Sequence, residues 1–369
     1  MTVLKQEPTA SCDCPPRITR RVWTRRPPLP SLSRDREVEV VAVKKPSETD
    51  VIEYDRAGDS EVLELHRRPL PPPGPGEVTV EVIAAGISHI DGFIRSGREV
   101  TWADEPFPRG TGSCFAGIVV DSADPGLPRG TEVVGHLRSG AHATYLTVPA
   151  ATLVKKPRRV TWETAGGLYL AGVTALDTLD DLRIGAGDTV VISAAAGGVG
   201  SIEAQIARHR GATVIGTCGE RNFDYLRQIG IIPVKYGPGI ADRIREAAKG
   251  GVTAFIDNFG QDGLELAEEL GVPASRYRSS ADRRDTELRL LQDDAESVEH
   301  GTRQLEAVLA LAETQAFTLL ISGLYPLADT ARAYADLDKL HSRGKVVLVT
   351  HPVSASRHLK ARDVADARA

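Results

Sequence analysis

The sequence predicts an α/β chain with two folded parts: an antiparallel, barrel-like β domain over roughly residues 51–160, then a doubly wound parallel sheet. Three observations predict it. Short β-prone runs separated by Gly and Pro turns fill the first part. After Trp162 the pattern changes to strands alternating with helices of about ten residues, which indicates βαβ units. The stretch Ala195–Gly200, AAGGVG, sits between a strand and a helix, where a phosphate-cradling glycine loop belongs.

The elements follow in order. Residues 1–49 differ from the rest: between Cys14 and Arg34 stand Arg17, Arg20, Arg21, Arg25 and Arg26, no acids, and the run PPLP. Such a composition buries little apolar surface, so a disordered tail is expected, or a basic arm that grips an acidic partner. Order is expected from Val51. VIEYD and EVLELHRR are short β-prone runs, PLPPPGPG is a connection, and EVTVEVIAAG alternates as a half-buried strand does. FAGIVVD, TEVVGHL and HATYLTVPAATLVKK continue the strands. ETAGGLYLAGVTALDTLDDL reads as helix and DTVVISAAAGGVG as a strand ending in glycines. SIEAQIARHRG reads as an amphipathic helix and TVIGTC as a strand. RNFDYLRQIG (helix), PVKYG (short strand), IADRIREAAKGG (helix) and VTAFIDNFG (strand) extend the alternation, and SRYRSS is compatible with one more strand. Residues 281–300 are highly charged, a lid or a solvated surface. The tail FTLLISGLYPLADTARAYADLDKLHSRGKVVLVT reads as strand, helix, strand.

Composition narrows the function classes. A chain of 369 residues is too long for one hydrophobic core and fits two domains. A net charge of −5 points to neither nucleic acid nor an anionic membrane. No apolar run approaches the roughly 20 residues that span a bilayer, and the N-terminus has no secretory pattern. Cys12, Cys14, Cys114 and Cys218 make neither a disulfide framework nor a four-cysteine zinc set. The cytoplasm is the expected compartment.

In AAGGVG, Ala195 stands at the first glycine of the fingerprint G-x-G-x-x-G, Gly197 at the second and Gly200 at the third, with Gly198 and Val199 between them. Gly197 lets the backbone approach a pyrophosphate, Gly200 lets helix and strand pack closely, and the helix N-terminus faces the anion. Enzymes that use NAD place an acid at the end of the next strand, to bind the ribose hydroxyls. Here Cys218 ends that strand, and Arg221 supplies positive charge three residues on. Glu220 is expected to point away, at the start of the following helix. NADPH is therefore expected over NADH.

Four stretches carry a resemblance: EVLELHRRPLPPPGPGEVTVEVIAAGISHIDGFIRSG, GAHATYLTVPAATLVKKP, AGVTAL followed by VISAAAGGVGS, and YPLADTARAY with HSRGKVVL. Over roughly residues 50–350 the chain resembles the medium-chain dehydrogenase/reductase superfamily, in its zinc-free quinone oxidoreductase and enoyl reductase branch. The resemblance implies a GroES-like β-barrel domain over 50–165, completed by 317–369. It implies a Rossmann NADP-binding domain over 166–316, with cofactor and substrate in the cleft between the two. In zinc-dependent relatives, metal ligands occupy the positions of Ser88, Ser113 and Ala171, and none of these residues suits Zn²⁺ here. No metal site is expected. Cys114 falls where the family often has an acid and is expected to be a small buried residue.

The resemblance also suggests roles. His89 is expected either near the cofactor's phosphates or satisfied by backbone. Asp91 is expected to orient its loop through a salt bridge. Ser88 faces the cleft, in reach of a substrate carbonyl. Quinone reductases of this type usually carry Asn in place of Ser88 and Tyr in place of Phe93, so the usual substrate is in question. Thr174 matches a position that contacts the nicotinamide side. Asn258, Phe259 and Gly260 end a strand at the carboxyl edge of the sheet, where ligands bind. Tyr236 is placed near the adenosine. Arg343 and Lys345 bring positive charge toward the cofactor, with structural or solvated roles as the alternative.

The implied chemistry is hydride transfer from NADPH to a quinone or an α,β-unsaturated carbonyl, with water, Tyr169 or Tyr54 as proton source. The alternatives are a natural-product tailoring reductase or cyclase, similar to polyketide enoyl reductase domains, and an NADPH-binding sensor or structural protein. Relatives are often dimers joined through the Rossmann sheet, and a homodimer is expected.

Overall fold

The computed structural model describes residues 45–99, 105–260, 263–339 and 343–350. The basic stretch 1–44 and its expected disorder lie outside them. The β domain runs β1 (Glu48–Tyr54), β2 (Glu64–Pro69), β3 (Glu77–Gly86), α1 (His89–Arg95), β4 (Arg109–Gly110), β5 (Cys114–Ser122), β6 (Glu132–His136), β7 (Tyr145–Pro149) and β8 (Leu153–Lys155). Next come α2 (Trp162–Gly166), α3 (Tyr169–Asp181), β9 (Thr189–Ile192), α4 (Gly198–His209), β10 (Thr213–Cys218), α5 (Phe223–Gln228), β11 (Ile232–Lys235), α6 (Ile240–Ala248), β12 (Ala254–Ile256), α7 (Gly263–Glu269) and β13 (Tyr277–Arg278). The chain continues with α8 (Ser280–Leu290), α9 (Ala295–Glu313), β14 (Ile321–Pro326), α10 (Thr330–Asp338) and β15 (Lys345–Val349).

Two sheets build the β domain, antiparallel except where β14 runs parallel to β15. β1 lies between β2 and β4. β1 begins ahead of the expected Val51 because a distant partner extends it. The Thr49 hydroxyl donates to the Tyr145 carbonyl at 2.8 Å, and the Tyr145 N–H donates back at 3.0 Å. The larger sheet has the order β14-β15-β3-β5-β6-β8, with β7 also on β3. β15 runs antiparallel to β3, so the last strands of the chain close the first sheet.

β3 is not the half-buried strand its alternation suggests: Val82, Ile83, Ala84 and Ala85 are all buried. The reason is a helix on its second face. A Cβ on Gly86 would fall 2.7 Å from the Cα of Gly167, so the strand end and the α2–α3 junction meet backbone to backbone. The same contact splits the single helix expected over ETAGGLYLAGVTAL into α2 and α3.

The parallel sheet has the order β11-β10-β9-β12-β13. Neighbouring residues on each strand serve different cores. Val190, Ile192, Val214, Ala254 and Ile256 pack with α3 and α4. Val191, Ile215, Val234 and Phe255 pack with α6 and α7. This alternation makes the sheet doubly wound, with helices on both faces.

The charged stretch 281–300 resolves into α8 and the start of α9. A capping box starts α8, in which the Ser279 side chain accepts from the Asp282 N–H and the Asp282 carboxylate from the Ser279 N–H. α9 docks on the β domain through the His136 Nε2–Thr302 hydrogen bond, 2.8 Å, and on α3 through His300 and Gln304, both bonded to Asp177. Among the described residues no helix is long and apolar enough to cross a membrane.

Candidate functional site

The loop between β9 and α4 has the geometry of a phosphate cradle. Ala194 takes a left-handed conformation, φ +48°. A Cβ on Gly200 would lie 2.6 Å from the Ala194 carbonyl oxygen, so only glycine lets the helix start this close to the strand. Ala195 fits the first-glycine position because Gly216 on β10 leaves room: a Cβ there would fall 2.7 Å from that of Ala195. Gly197 precedes the helix with extended backbone. The N–H groups of Gly198, Val199 and Gly200 have no acceptor within their own helix, which leaves them to an anion.

Positive charge gathers where β10 ends. Arg343 donates to the Arg221 carbonyl at 2.7 Å, and its charge reaches Cys218. The Tyr236 hydroxyl lies beside Gly219. The Cys218 thiol is pushed up to about 11 by burial, against the nearby Arg343, so it is neutral at pH 7. Glu220 pairs on the surface with Lys235 at 3.1 Å.

At the same carboxyl end of the sheet, Asp257 shapes the turn after β12. Its carboxylate accepts the Ser193 hydroxyl (2.8 Å) and the N–H groups of Phe259 (3.1 Å) and Gly260 (2.9 Å). The Phe259 ring is left 49% exposed. The Asn258 side chain does not face outward: its amide donates to Glu203 Oε2 at 2.5 Å. Glu203 is wholly buried, and burial pushes its carboxyl up to about 7, partly offset by the Asn258 bond and by Arg283. Sequence reasoning missed Glu203 because α4 reads as ordinarily amphipathic. An acid beside Ile202 on the inward face was the available signal.

The residues around α1 depart from expectation. Asp91 makes no ion pair among the described residues. Instead its Oδ2 accepts the Ser88 N–H at 2.9 Å and the Tyr334 hydroxyl at 3.2 Å, which caps α1. Burial pushes the Asp91 carboxyl up to about 6, with Lys345 opposing. Lys345 does not turn its amine to the glycine loop. Its stem passes Gly167 and Gly198, and Nζ donates to Ser88 Oγ at 2.6 Å. His89 has no hydrogen bond among the described residues. Burial pushes its ring down to about 4, reinforced by Lys345 and Arg283, so it is neutral at pH 7.

Phe93 lies under the Arg284 guanidinium of α8, 5.5 Å from the ring centroid. α8 also carries the Arg283–Glu287 pair, 2.7 Å apart and mostly buried. Thr174 is fully buried with a hydroxyl that has no partner among the described residues, and so is Ser113. Such orphaned hydroxyls fit groups that a ligand completes. Tyr169 is not available as a proton donor, because its hydroxyl is bound to the Leu290 carbonyl at 2.8 Å.

The three positions that resemble zinc ligands hold Ser88, Ser113 and Ala171. Among the described residues no three His, Cys, Asp or Glu side chains converge on a common point. The donor set does not fit a catalytic zinc. Cys114 is buried, and its thiol is pushed up to about 11. Beside α1 a cavity of about 530 Å³ is lined by Tyr54, Asp91, Ile94, Arg109, Thr111 and Leu137. At its edge Arg138 bridges Glu105 (2.6 Å) and Asp293 (3.0 Å), which joins the β domain to the α8–α9 turn.

Comparison with known proteins matches this picture. Residues 74–158 match the alcohol dehydrogenase GroES-like domain, and residues 232–348 the zinc-binding dehydrogenase domain. The Escherichia coli quinone oxidoreductase 1 is 28% identical, covering 81% of this chain and 98% of that protein. A Mycobacterium tuberculosis mycocerosic acid synthase-like polyketide synthase is 31% identical over 79% of this chain, which spans only 15% of the synthase. A probable quinone oxidoreductase of Schizosaccharomyces pombe is 31% identical over 45% of this chain and 51% of its own length. Among solved structures, the E. coli quinone oxidoreductase complexed with NADPH superposes with a TM-score of 0.70 at 25% identity, over 81% of this chain and 99% of that one. A mycobacterial protein solved with NADPH gives 0.67 at 28% identity, over 82% of this chain and 99% of that one. With both domains matched in order and the fold shared with quinone oxidoreductases, this chain belongs to the medium-chain dehydrogenase/reductase superfamily, in its quinone oxidoreductase branch.

Proposed function

We propose that the protein is a zinc-independent NADPH-dependent reductase that delivers hydride to a quinone or an α,β-unsaturated carbonyl. The observation that carries this reading is the end of β10, where Cys218 stands in place of an acid and Arg221 and Arg343 lie together. A carboxylate there would repel a 2′-phosphate; two guanidinium groups attract one. The rest of the cleft fits the same cofactor. The N–H groups at the start of α4 suit a pyrophosphate, and the orphaned Thr174 hydroxyl offers a further polar group.

When bound, NADPH supplies the hydride. The chain's own residues bind, orient and exclude water. The N–H groups of Gly198–Gly200 would hold the cofactor's phosphates. Arg284 of α8 covers the Phe93 ring. Ser88 stands ready to donate to an acceptor carbonyl, where negative charge grows as hydride arrives. The polyketide synthase match at 31% identity supports a second reading, an enoyl reductase acting on a carrier-bound acyl chain.

The test is consumption of NADPH, followed by its absorbance, against a panel of quinones and enones, with NADH and EDTA as controls. EDTA-insensitive turnover that favours NADPH is expected. Tight NADPH binding without turnover on any acceptor sinks the reductase reading for free acceptors, and carrier-bound enoyl thioesters become the substrates to try. Equal or better turnover with NADH overturns the cofactor assignment.

A further inference from the structure

Reduction of an enone consumes a proton as well as a hydride. Of the two tyrosines the sequence offers, Tyr169 is committed to the Leu290 carbonyl. Tyr54 is buried in the cavity wall, and burial raises its pKa. The structure presents a different donor. Lys345 is only 7% exposed, and its Nζ donates to Ser88 Oγ at 2.6 Å. A buried amine survives only where acceptors hold it. The groups that feel its charge come from several elements: His89 and Asp91 on α1, Cys114 on β5, and His142 ahead of β7.

The placement matters as much as the contact. Gly344, the residue before Lys345, donates its N–H to the Ala196 carbonyl in the glycine loop. The Lys345 stem then passes beside Gly198 on its way to Ser88. Asp91, which receives the Ser88 N–H, lines the 530 Å³ cavity. The Lys345–Ser88 pair is thus linked on one side to the glycine loop, through Gly344 and Gly198, and on the other to the cavity wall, through Asp91. Because Ser88 Oγ accepts from Lys345, its own hydrogen remains to be donated, and no bond among the described residues takes it.

We propose that Ser88 is the catalytic proton donor and that Lys345 is the residue that positions and recharges it, an inference that rests on the reductase reading above. The acceptor's β-carbon gains the hydride, and the C=C electron pair shifts so that charge collects on oxygen. The Ser88 O–H bond breaks as its proton joins that oxygen, and a Lys345 N–H bond breaks to restore Ser88. Lys345 takes a proton from solvent, and the enol product tautomerises in water. The acceptor is reduced by two electrons and NADPH is oxidised to NADP⁺.

The experiment compares the wild-type protein with Lys345→Met and Lys345→Arg. With but-3-en-2-one, K345M is expected to lower kcat about 100-fold or more and to leave KM and the NADPH Kd, measured by fluorescence, within about threefold. K345R keeps the charge but gives up its proton far less readily, so it is expected to bind NADPH as wild type does and to stay at least about tenfold slower. The solvent deuterium isotope effect on wild-type kcat should change in K345M, which a structural role would not cause. An arm without turnover uses 4-nitrophenol with NADP⁺: wild type is expected to bind it as the coloured phenolate, and K345M not to. If K345M instead weakens NADPH binding about tenfold while kcat at saturation holds, Lys345 is a cofactor contact and the proposal falls. If K345M changes nothing, it falls as well. If wild type reduces no acceptor but shows the Lys345-dependent phenolate, the pair stands and the acceptor class is what fails.

Discussion

The N–H of Gly344 donates to the carbonyl of Ala196 at 3.0 Å, so the strand that completes the β domain is tied to the glycine loop of the Rossmann domain. Gly344 sits at φ +65°, and a Cβ there would collide with the Leu320 carbonyl. Gly344→Ala is therefore expected to cost at least about 1–3 kcal/mol and to weaken NADPH binding. Thermal melting with and without NADPH checks both effects. Unchanged melting and affinity would show that the junction is not strained.

Cofactor choice should follow charge at the end of β10. The double variant Arg221→Ala with Arg343→Ala is expected to lower kcat/KM for NADPH about 10- to 100-fold, the loss of roughly 1.4–2.8 kcal/mol. It should leave the value for NADH nearly unchanged. Cys218→Asp should act in the same direction by repelling the 2′-phosphate. Steady-state kinetics with both cofactors measure it.

Glu203 makes stability depend on pH in a definite sense. Its carboxyl holds its proton to about pH 7 when folded and releases it near 4.5 when unfolded. Between those values the folded state binds more protons, so this residue's contribution to stability falls as pH rises. Glu203→Gln keeps an acceptor for the Asn258 amide and removes the charge. It should stabilise the protein at pH 8 by up to roughly 3 kcal/mol and have little effect at pH 4. Urea unfolding at the two pH values decides.

The buried histidines act oppositely. His142 donates Nε2–H to the Gly86 carbonyl at 3.1 Å, and burial holds its ring down to about 4. Between pH 6.5 and 4 the unfolded chain binds more protons, so this contribution is lost as pH falls through that window. At pH 5 the cost is about 2 kcal/mol for this ring. His142→Asn should flatten the acid limb of the stability profile, though it lowers stability at pH 7. A limb that stays as steep would mean the ring is not what titrates.

Much of the fold was legible because it is written in neighbours. The 3.6-residue period marked α4, the alternation of strand-like runs with helices of about ten residues marked the parallel sheet, and AAGGVG marked the glycine loop between β9 and α4. Errors came where a distant element changed a local pattern. β3 alternates in sequence yet is buried on both faces, because Gly166 and Gly167 bring a helix junction onto it. Asn258 sits at the carboxyl edge as its place in the strand implies, but its side chain is claimed by Glu203, one helix away.

By itself the sequence determined the order of elements, the glycine loop, the absence of an acid at Cys218, and Ser88, Ser113 and Ala171 at the positions of zinc ligands. The first three depend on residue identity at short spacing, and the zinc-ligand positions on the resemblance to zinc-dependent relatives. Only the tertiary structure decided what each side chain meets. Asp91 bonds Tyr334, 243 residues later, instead of a cation, and Lys345 reaches back 257 residues to Ser88 instead of turning toward phosphate. Such contacts are set by how β15 and α10 pack against β3 and α1. No periodicity encodes the direction of one lysine's amine, because its energy depends on groups that only folding brings within hydrogen-bond reach.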